Sequence, residues 1–378
     1  MQVLLVSKPL CPPWRDSGKN WARDVATFAS VRGIVHRVMV PAGRDDWSAV
    51  EGVVAEGIYT ADGSYAPRIA DNVRTLRRIL KRRDGCDLVH FCFAPNPRSN
   101  RIAGAAMKWR RQPSVHTVLS VPASFESVGQ ILFADRVVCV SASTADRLSE
   151  VGVKGLAVVP AAIPLEVPLR DADPKRVADV VSALGLGSGR PLVVFPGDYE
   201  FSAAADVFAG AVERLWDRVE ADFVFACRKK SPASITREVA IKARLSPAFA
   251  AGRVHFLGEL DDMRGLLAGA RVVALPAEST YAKMDIPLVV LEAMAERTPV
   301  ILADVAPLRE ALGPEPRSAG GALVPPLDEA GLSLAIEDLL GDTAAFKERG
   351  QLARAHVEAR HDAAMVCQQY AALYEGLV

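Results

Sequence analysis

The chain has 378 residues, half of them apolar, and its 45 Lys and Arg balance 45 Asp and Glu for a formal net charge of zero. That length favours two domains of similar size over a single core, and the charge balance leaves no global field to attract nucleic acid. No apolar run reaches the roughly 18 residues of a membrane span, and the chain opens on a strand without a basic leader, so a soluble, cytoplasmic protein is expected. The six cysteines at 11, 86, 92, 139, 227 and 367 are scattered, with no C-x-x-C pair. They read as reduced, mostly buried thiols rather than as a disulfide frame or a metal site.

Residues 3–6 read as a buried parallel strand, 7–20 as a long Pro/Gly loop, 21–30 as a helix and 36–40 as a second strand. Strand, loop, helix and strand open a doubly wound α/β domain, whose ligands sit at the carboxyl ends of the strands. The loop SKPLCPPWRDSGKN then lies at the mouth of a cleft, with Gly18 and Lys19 where the chain approaches a ligand. It is not G-x-G-x-x-G, so the dinucleotide fingerprint is absent.

From Arg68 to Arg111 there are twelve Lys and Arg against three Asp and Glu. Arg74, Arg77, Arg78, Lys81 and Arg82 recur at helical spacing and predict one basic face. Such a face is usually only solvated; the sharper expectation is peripheral docking of region 68–111 on an acidic membrane. Strands follow at 87–93, 114–120 and 136–140, the last running into Ser141 and a helix. His90, His116 and Ser120 fall at or near strand ends, where active-site groups belong in this architecture; a packed core histidine is the alternative.

The Pro-rich crossing after Val158 places a domain boundary around residues 165–185. The α/β pattern then restarts, with strands at 191–195, 222–226, 253–257, 272–275, 300–303 and 320–324 and helices at 203–216, 263–268 and 332–340. Near the end, Val366, Tyr370, Leu373, Tyr374 and Leu377 form an apolar stripe at helical spacing.

The stretch KMDIPLVVLEAMAERTPV, residues 283–300, is the most informative. Glu292 is the only charged residue in the apolar run 286–295, and a buried carboxylate there needs hydrogen-bond donors. Asp285 and Pro287 read as a helix start, an N-cap followed by a first-turn proline, and helix starts bind phosphate well. A buried helix whose glutamate pairs with an arginine is the competing explanation.

RVHFLGELDDMRGLLAGARVVALP, LEAMAERTPVILADVAPLREAL and GGALVPPLDEAGLSLAIEDLL, with DLVHF, VVCVSASTADRLSEVG and VVPAAIP in the first half, give the chain a resemblance to the retaining GT-B glycosyltransferases of family four, the glycogen-synthase and sucrose-synthase-like group. The resemblance implies two Rossmann-like doubly wound α/β domains facing a cleft, with the final helix crossing back to the first. It places an acceptor-side domain at 1–170, a nucleotide-sugar-binding domain at 171–355 and the returning helix at 356–378. It also implies a UDP- or GDP-type sugar donor, an acceptor hydroxyl of unknown identity, no nucleic-acid partner, and no metal or other cofactor. By the same resemblance Glu292 accepts hydrogen bonds from the donor ribose, and Ile286, Pro287, Leu288 and Val289 meet the diphosphate, although Pro287 has no N–H to give.

The departures from the family pattern are specific. Met284 stands where a second glutamate near the transferred sugar is usual, leaving Glu278, Lys283 and Asp285 as polar candidates there. Asp198 replaces an expected arginine and no lysine follows it, so Arg228 and Lys229 are the candidate diphosphate cations. Leu119 aligns with a usual histidine, which leaves His116 three residues away and His90 at the D-x-x-H strand end as first-domain candidates. These departures keep two alternatives open: a catalytically impaired nucleotide-sugar-binding subunit, and a GT-B relative such as a sugar-nucleotide epimerase.

Overall fold

The computed structural model describes residues 1–30, 33–60, 68–82, 84–341 and 343–378. Short apolar strands alternate with helices, so each central strand is buried on both faces and pairs in parallel with its neighbours. Two such sheets divide the chain into two units. Unit 1 holds Met1–Pro164, Ala282–Asp285 and His361–Val378; unit 2 holds Leu165–Tyr281 and Ile286–Arg360.

In unit 1 the strands are β1 (Gln2–Val6), β2 (Val35–Pro41), β3 (Val53–Tyr59), β4 (Leu88–Cys92), β5 (Ser114–Val118), β6 (Arg136–Cys139) and β7 (Leu156–Val158), ordered β3-β2-β1-β4-β5-β6-β7. The order reverses at β1, which pairs with β2 on one side and β4 on the other. Ser17–Phe28 is a helix, four residues longer at its start than the hydrophobic pattern indicates. The Asp16 carboxylate accepts from the Lys19 N–H and caps it, which puts the polar SGKN segment inside the first turn. Strand β3 was not expected. It lies at the sheet edge and carries Glu56 and Gly57, so it lacks the apolar run of a central strand.

The C-terminal segment belongs to unit 1. Ile163 donates to the His361 carbonyl and accepts from the Ala363 N–H, and the His361 Nδ1 lies 2.6 Å from the Ala161 carbonyl oxygen. The Gln368–Glu375 helix then buries Tyr370 and Tyr374 completely, with Tyr370 edge-on to Trp21 and Tyr374 tilted on His36. This is the apolar stripe of the sequence, now with its receiving surface.

Unit 2 has β8 (Leu192–Phe195), β9 (Asp222–Ala226), β10 (Val254–Leu257), β11 (Ala270–Leu275), β12 (Val300–Ala303) and β13 (Ala322–Val324), ordered β10-β9-β8-β11-β12-β13. In its core Phe195 stacks on Phe208 and Phe225 meets both edge-on. The region read as an interdomain crossing contains the Pro174–Ala183 helix, capped by the Asp173 side chain. The Pro232–Arg244 and Thr343–Arg360 helices were likewise not expected. The last two have polar, weakly periodic sequences. Helix Pro174–Ala183 buries no residue fully, although Val177, Val180 and Val181 form a short apolar stripe that faces Gly265 and Gly269. Two doubly wound parallel sheets with a returning C-terminal helix make this a GT-B architecture, as the sequence implies.

Candidate functional site

Ligands of an open α/β sheet bind beyond the carboxyl ends of the strands where the order reverses. In unit 2 that point lies between β8 and β11, which pair in parallel. The chain leaves β8 through Pro196–Gly197–Asp198. A Cβ on Gly197 would lie 2.1 Å from Cζ of Phe195, whose ring is fully buried, so only glycine permits this turn. Beyond it starts the Ala204–Leu215 helix, which has no side-chain cap of its own. Its cap comes from the loop after β11: the Glu278 carboxylate accepts from the Ala203 N–H at 2.8 and 3.0 Å. Glu278 therefore faces the switch point, but as an anion already seated at a helix start.

The stretch that dominates the sequence forms the Leu288–Ala295 helix. Pro287 is its cap residue in extended conformation, and no side chain caps it. This corrects the expected start. Asp285 is not the N-cap and Pro287 is not in the first turn. Asp285 is fully buried in unit 1, where its carboxylate accepts from the Ser141 hydroxyl at 2.5 Å and its N–H donates to the Leu119 carbonyl at 2.8 Å. Ser141 in turn caps the Ala142–Glu150 helix. A catalytic role for Asp285 is thus not supported, because a fully buried carboxylate cannot touch a substrate. Met284 beside it is also buried, while Lys283 is partly exposed.

Glu292 sits one turn into the Leu288–Ala295 helix and is half-buried, among Leu288, Val290 and Leu291, which are buried, and Val289, which is partly exposed. The other acid of the stretch, Glu296, is structural. It accepts from the Leu169 N–H and pairs with Arg264, which also pairs with Glu166. The arginine-paired glutamate considered from sequence exists, one turn later than Glu292.

The candidate cations lie at the end of β9 or in the loop before the Leu288–Ala295 helix. The backbone of Arg228 forms an isolated β-bridge with that of Asp198 across the β8 and β9 ends, and its guanidinium pairs with Glu259 at 3.8 Å. Lys229 pairs with Glu238 at 3.3 Å. The Arg228–Glu259 pair is exposed and weakly held in water, whereas Glu238 is buried and also pairs with Lys242.

In unit 1 the expected ligand contacts at Gly18 and Lys19 are replaced by internal ones. Lys19 is buried and its ammonium donates to the Cys11 carbonyl at 2.6 Å, above the Trp14 ring. Burial lowers its pKa despite the neighbouring acids. Lys19 fastens its own loop. A Cβ on Gly18 would come within 3.3 Å of the Asp16 carboxylate, so this glycine serves the helix cap.

Both catalytic-histidine expectations are corrected by burial. His90 has no exposed surface, with Nδ1 2.7 Å from the Tyr374 hydroxyl and Nε2 2.7 Å from the Thr117 hydroxyl, which continues to Tyr370 at 2.9 Å. A neutral imidazole can donate at one nitrogen and accept at the other, which matches this chain; burial holds its pKa well below the usual value. His116 is equally buried among Phe91, Phe93 and Phe133, with Nε2 3.0 Å from the Phe93 carbonyl oxygen. Burial lowers its pKa to about 4. Both are core histidines. Among the described residues, no group of three His, Cys, Asp or Glu side chains is placed to hold a metal.

Fold and switch-point geometry define a two-domain enzyme architecture of the GT-B class. Comparison with known proteins refines this: residues 190–342 match the family described as Glycosyl transferases group 1, and residues 20–167 match Glycosyltransferase Family 4. The two matches, one on each half, support a GT-B glycosyltransferase. No curated protein matches the sequence. Similar solved structures include a glycosyltransferase from Rickettsia africae (TM-score 0.77, 14% identity, covering 100% of this chain and 98% of that one). Sucrose-phosphate synthase from Thermosynechococcus elongatus aligns at TM-score 0.75 and 20% identity, over 100% of this chain and 99% of that one. HepE from Anabaena, solved with UDP and glucose, aligns at TM-score 0.75 and 17% identity over the full length of both. At these identities the likeness establishes the fold.

Proposed function

We propose that the protein transfers a sugar from a nucleoside-diphosphate donor, UDP- or GDP-linked, to an acceptor hydroxyl with retention at the anomeric carbon, in bacterial glycan, glycolipid or glycoside synthesis on the cytoplasmic side. The observation that carries this is Glu292: a half-buried carboxylate one turn into a helix that no side chain caps, in the unit whose sheet reverses at β8 and β11. Glu292 accepts the ribose hydroxyls through charge-assisted hydrogen bonds. The N–H groups of Leu288 and Val289 meet the diphosphate, where the helix dipole favours negative charge. Arg228 and Lys229 supply mobile positive charge as the diphosphate leaves. The bond from the anomeric carbon to the β-phosphate oxygen breaks, the acceptor oxygen takes its place, and the acceptor proton passes to a β-phosphate oxygen. Held this way, the donor needs no metal or other cofactor, and chelator leaves turnover unchanged. The UDP carried by the Anabaena neighbour supports a nucleotide donor.

A panel of nucleotide sugars with simple hydroxyl acceptors, read by nucleoside-diphosphate release and by the anomeric configuration of the product, tests the reading. An inverted product removes retention. Donor binding without release for any acceptor favours the second reading, a nucleotide-sugar-binding subunit. That reading draws on Glu278 already occupying the Ala203 N–H and on Met284 being buried.

A further inference from the structure

Unit 1 presents an outer face that neither its core nor the proposed donor site uses. The Ile69–Ile79 and Pro97–Arg110 helices pack over one hydrophobic cluster, the first contributing Leu76 and Ile79, the second Ala103, Ala106 and Met107. Their opposite faces therefore turn to the same side of the sheet. Buried charges fix them there. Arg78 pairs with Glu56 and Asp84, and Arg110 reaches Asp84 from the second helix at 2.8 Å. Arg74 pairs with Asp71 and donates to the Ile58 carbonyl. The basic face expected from sequence is thereby corrected: Arg74 and Arg78 hold the helix down, while Arg77, Lys81 and Arg82 remain exposed, and Arg83 lies outside the described residues.

Around the exposed cations the face is apolar. Ile69 is 85% exposed, and Val73 and Leu80 follow it at helical spacing. On the neighbouring helix Ile102 is 52% and Trp109 60% exposed, seven residues apart and flanked by Arg98, Arg101, Lys108 and Arg111. Arg82 lies 5.5 Å over the Trp109 ring and joins the two rows. Neither helix exposes an acidic residue, since Asp71 is buried.

We propose that this two-helix face docks on an anionic lipid bilayer, with Ile69, Val73, Leu80, Ile102 and Trp109 entering the boundary between headgroups and acyl chains and the arginines and lysines held at the phosphates. Large apolar side chains exposed beside cations are the composition of an interfacial surface, and an indole is at home at headgroup level. A chain of zero net charge has no general attraction to lipid, so the local charge also sets the orientation. A nucleic-acid surface would account for the cations but leaves five apolar side chains in water, so lipid is favoured. The proposal is independent of the donor reading, because its residues lie in unit 1 and its assay needs no sugar.

The test is co-sedimentation of the full chain with neutral phosphatidylcholine vesicles and with vesicles containing roughly 30% phosphatidylglycerol. Binding is expected to the acidic vesicles only and to weaken at about 0.5 M NaCl. A combined Arg98→Glu, Arg101→Glu and Lys108→Glu variant should lose affinity by about a hundredfold, and Ile102→Ser with Trp109→Ser by about tenfold at unchanged charge. These side chains are exposed, and unchanged thermal melting keeps both variants interpretable. Equal binding to the two vesicles overturns the proposal. So does an Ile102/Trp109 variant that binds acidic vesicles and heparin as well as the parent chain, which would mark a polyanion site instead.

Discussion

At the scale of single residues, burial decides between chemistry and architecture. Glu292 is half-buried and reachable, and Glu292→Ala is expected to weaken donor binding about 10- to 100-fold, the loss of charge-assisted hydrogen bonds worth about 1.5–3 kcal/mol. Isothermal titration with the productive nucleotide checks this, and an unchanged affinity removes Glu292 from the site. His90 is the opposite case. His90→Leu strands the Tyr374 hydroxyl and leaves the Thr117 hydroxyl with Tyr370, and should lower stability by about 2 kcal/mol without a specific loss of turnover in the folded fraction. Asp24 gives a signed pH effect. Burial raises its carboxyl pKa to about 6, against the pull of Arg23. Between about pH 4 and 6 the folded chain keeps a proton the unfolded one has lost, so stability falls as pH rises through that window. Asp24→Asn should then raise stability at pH 7 on the order of 2 kcal/mol, with the gain vanishing below pH 4, as read from thermal melts. Glu292 stood out in the sequence because it is the one carboxylate in an apolar run, and its half-buried place on the Leu288–Ala295 helix could be anticipated from that run. The burial of His90 was not, because its partner Tyr374 is 284 residues away.

Elements show where periodicity suffices and where it fails. The central strands and the Leu288–Ala295 helix were legible as apolar runs of the right length. Edge strand β3 was not, since its pairing with β2 rather than an apolar run holds it, and the short valine stripe of the Pro174–Ala183 helix was hidden by the Pro-rich crossing before it. The basic Ile69–Ile79 helix shows a further limit: spacing put five cations on one surface, but only contacts reveal that Arg78 faces Glu56 and Asp84. Burial alone would raise the Asp84 carboxyl, yet hydrogen bonds from Arg78, the Cys86 N–H and Arg110 outweigh it and hold the pKa down at about 2. Asp84→Ala leaves Arg78 and Arg110 without this shared partner and should cost about 3 kcal/mol. It should also loosen both helices together, seen as faster amide exchange in each.

For the whole molecule, acid should act on unit 1. Its buried histidines are held neutral, with His36 at about 3, His116 at about 4 and His90 well below its usual value, all by burial. The unfolded chain takes up protons near pH 6.5 and the folded unit does not, so stability is lost as pH falls from there toward 4. Hydrogen exchange at pH 7 and pH 5 should show protection falling in the β1, β4 and β5 strands; uniform protection at both values would contradict this.

The sequence by itself determined the class of protein. Alternating strands and helices in two halves, the restart of the pattern after the Pro-rich crossing, and the run around Glu292 are local signals, readable because parallel strands must be apolar throughout and helices must repeat. Only the tertiary structure decided which polar residues are spoken for. Lys19, Asp285, His90 and His116 all read as site residues, and each is enclosed by partners supplied from the chain's distant segments or from its own loop. A residue's chemistry depends on solvent and neighbours, and those are properties of the folded chain.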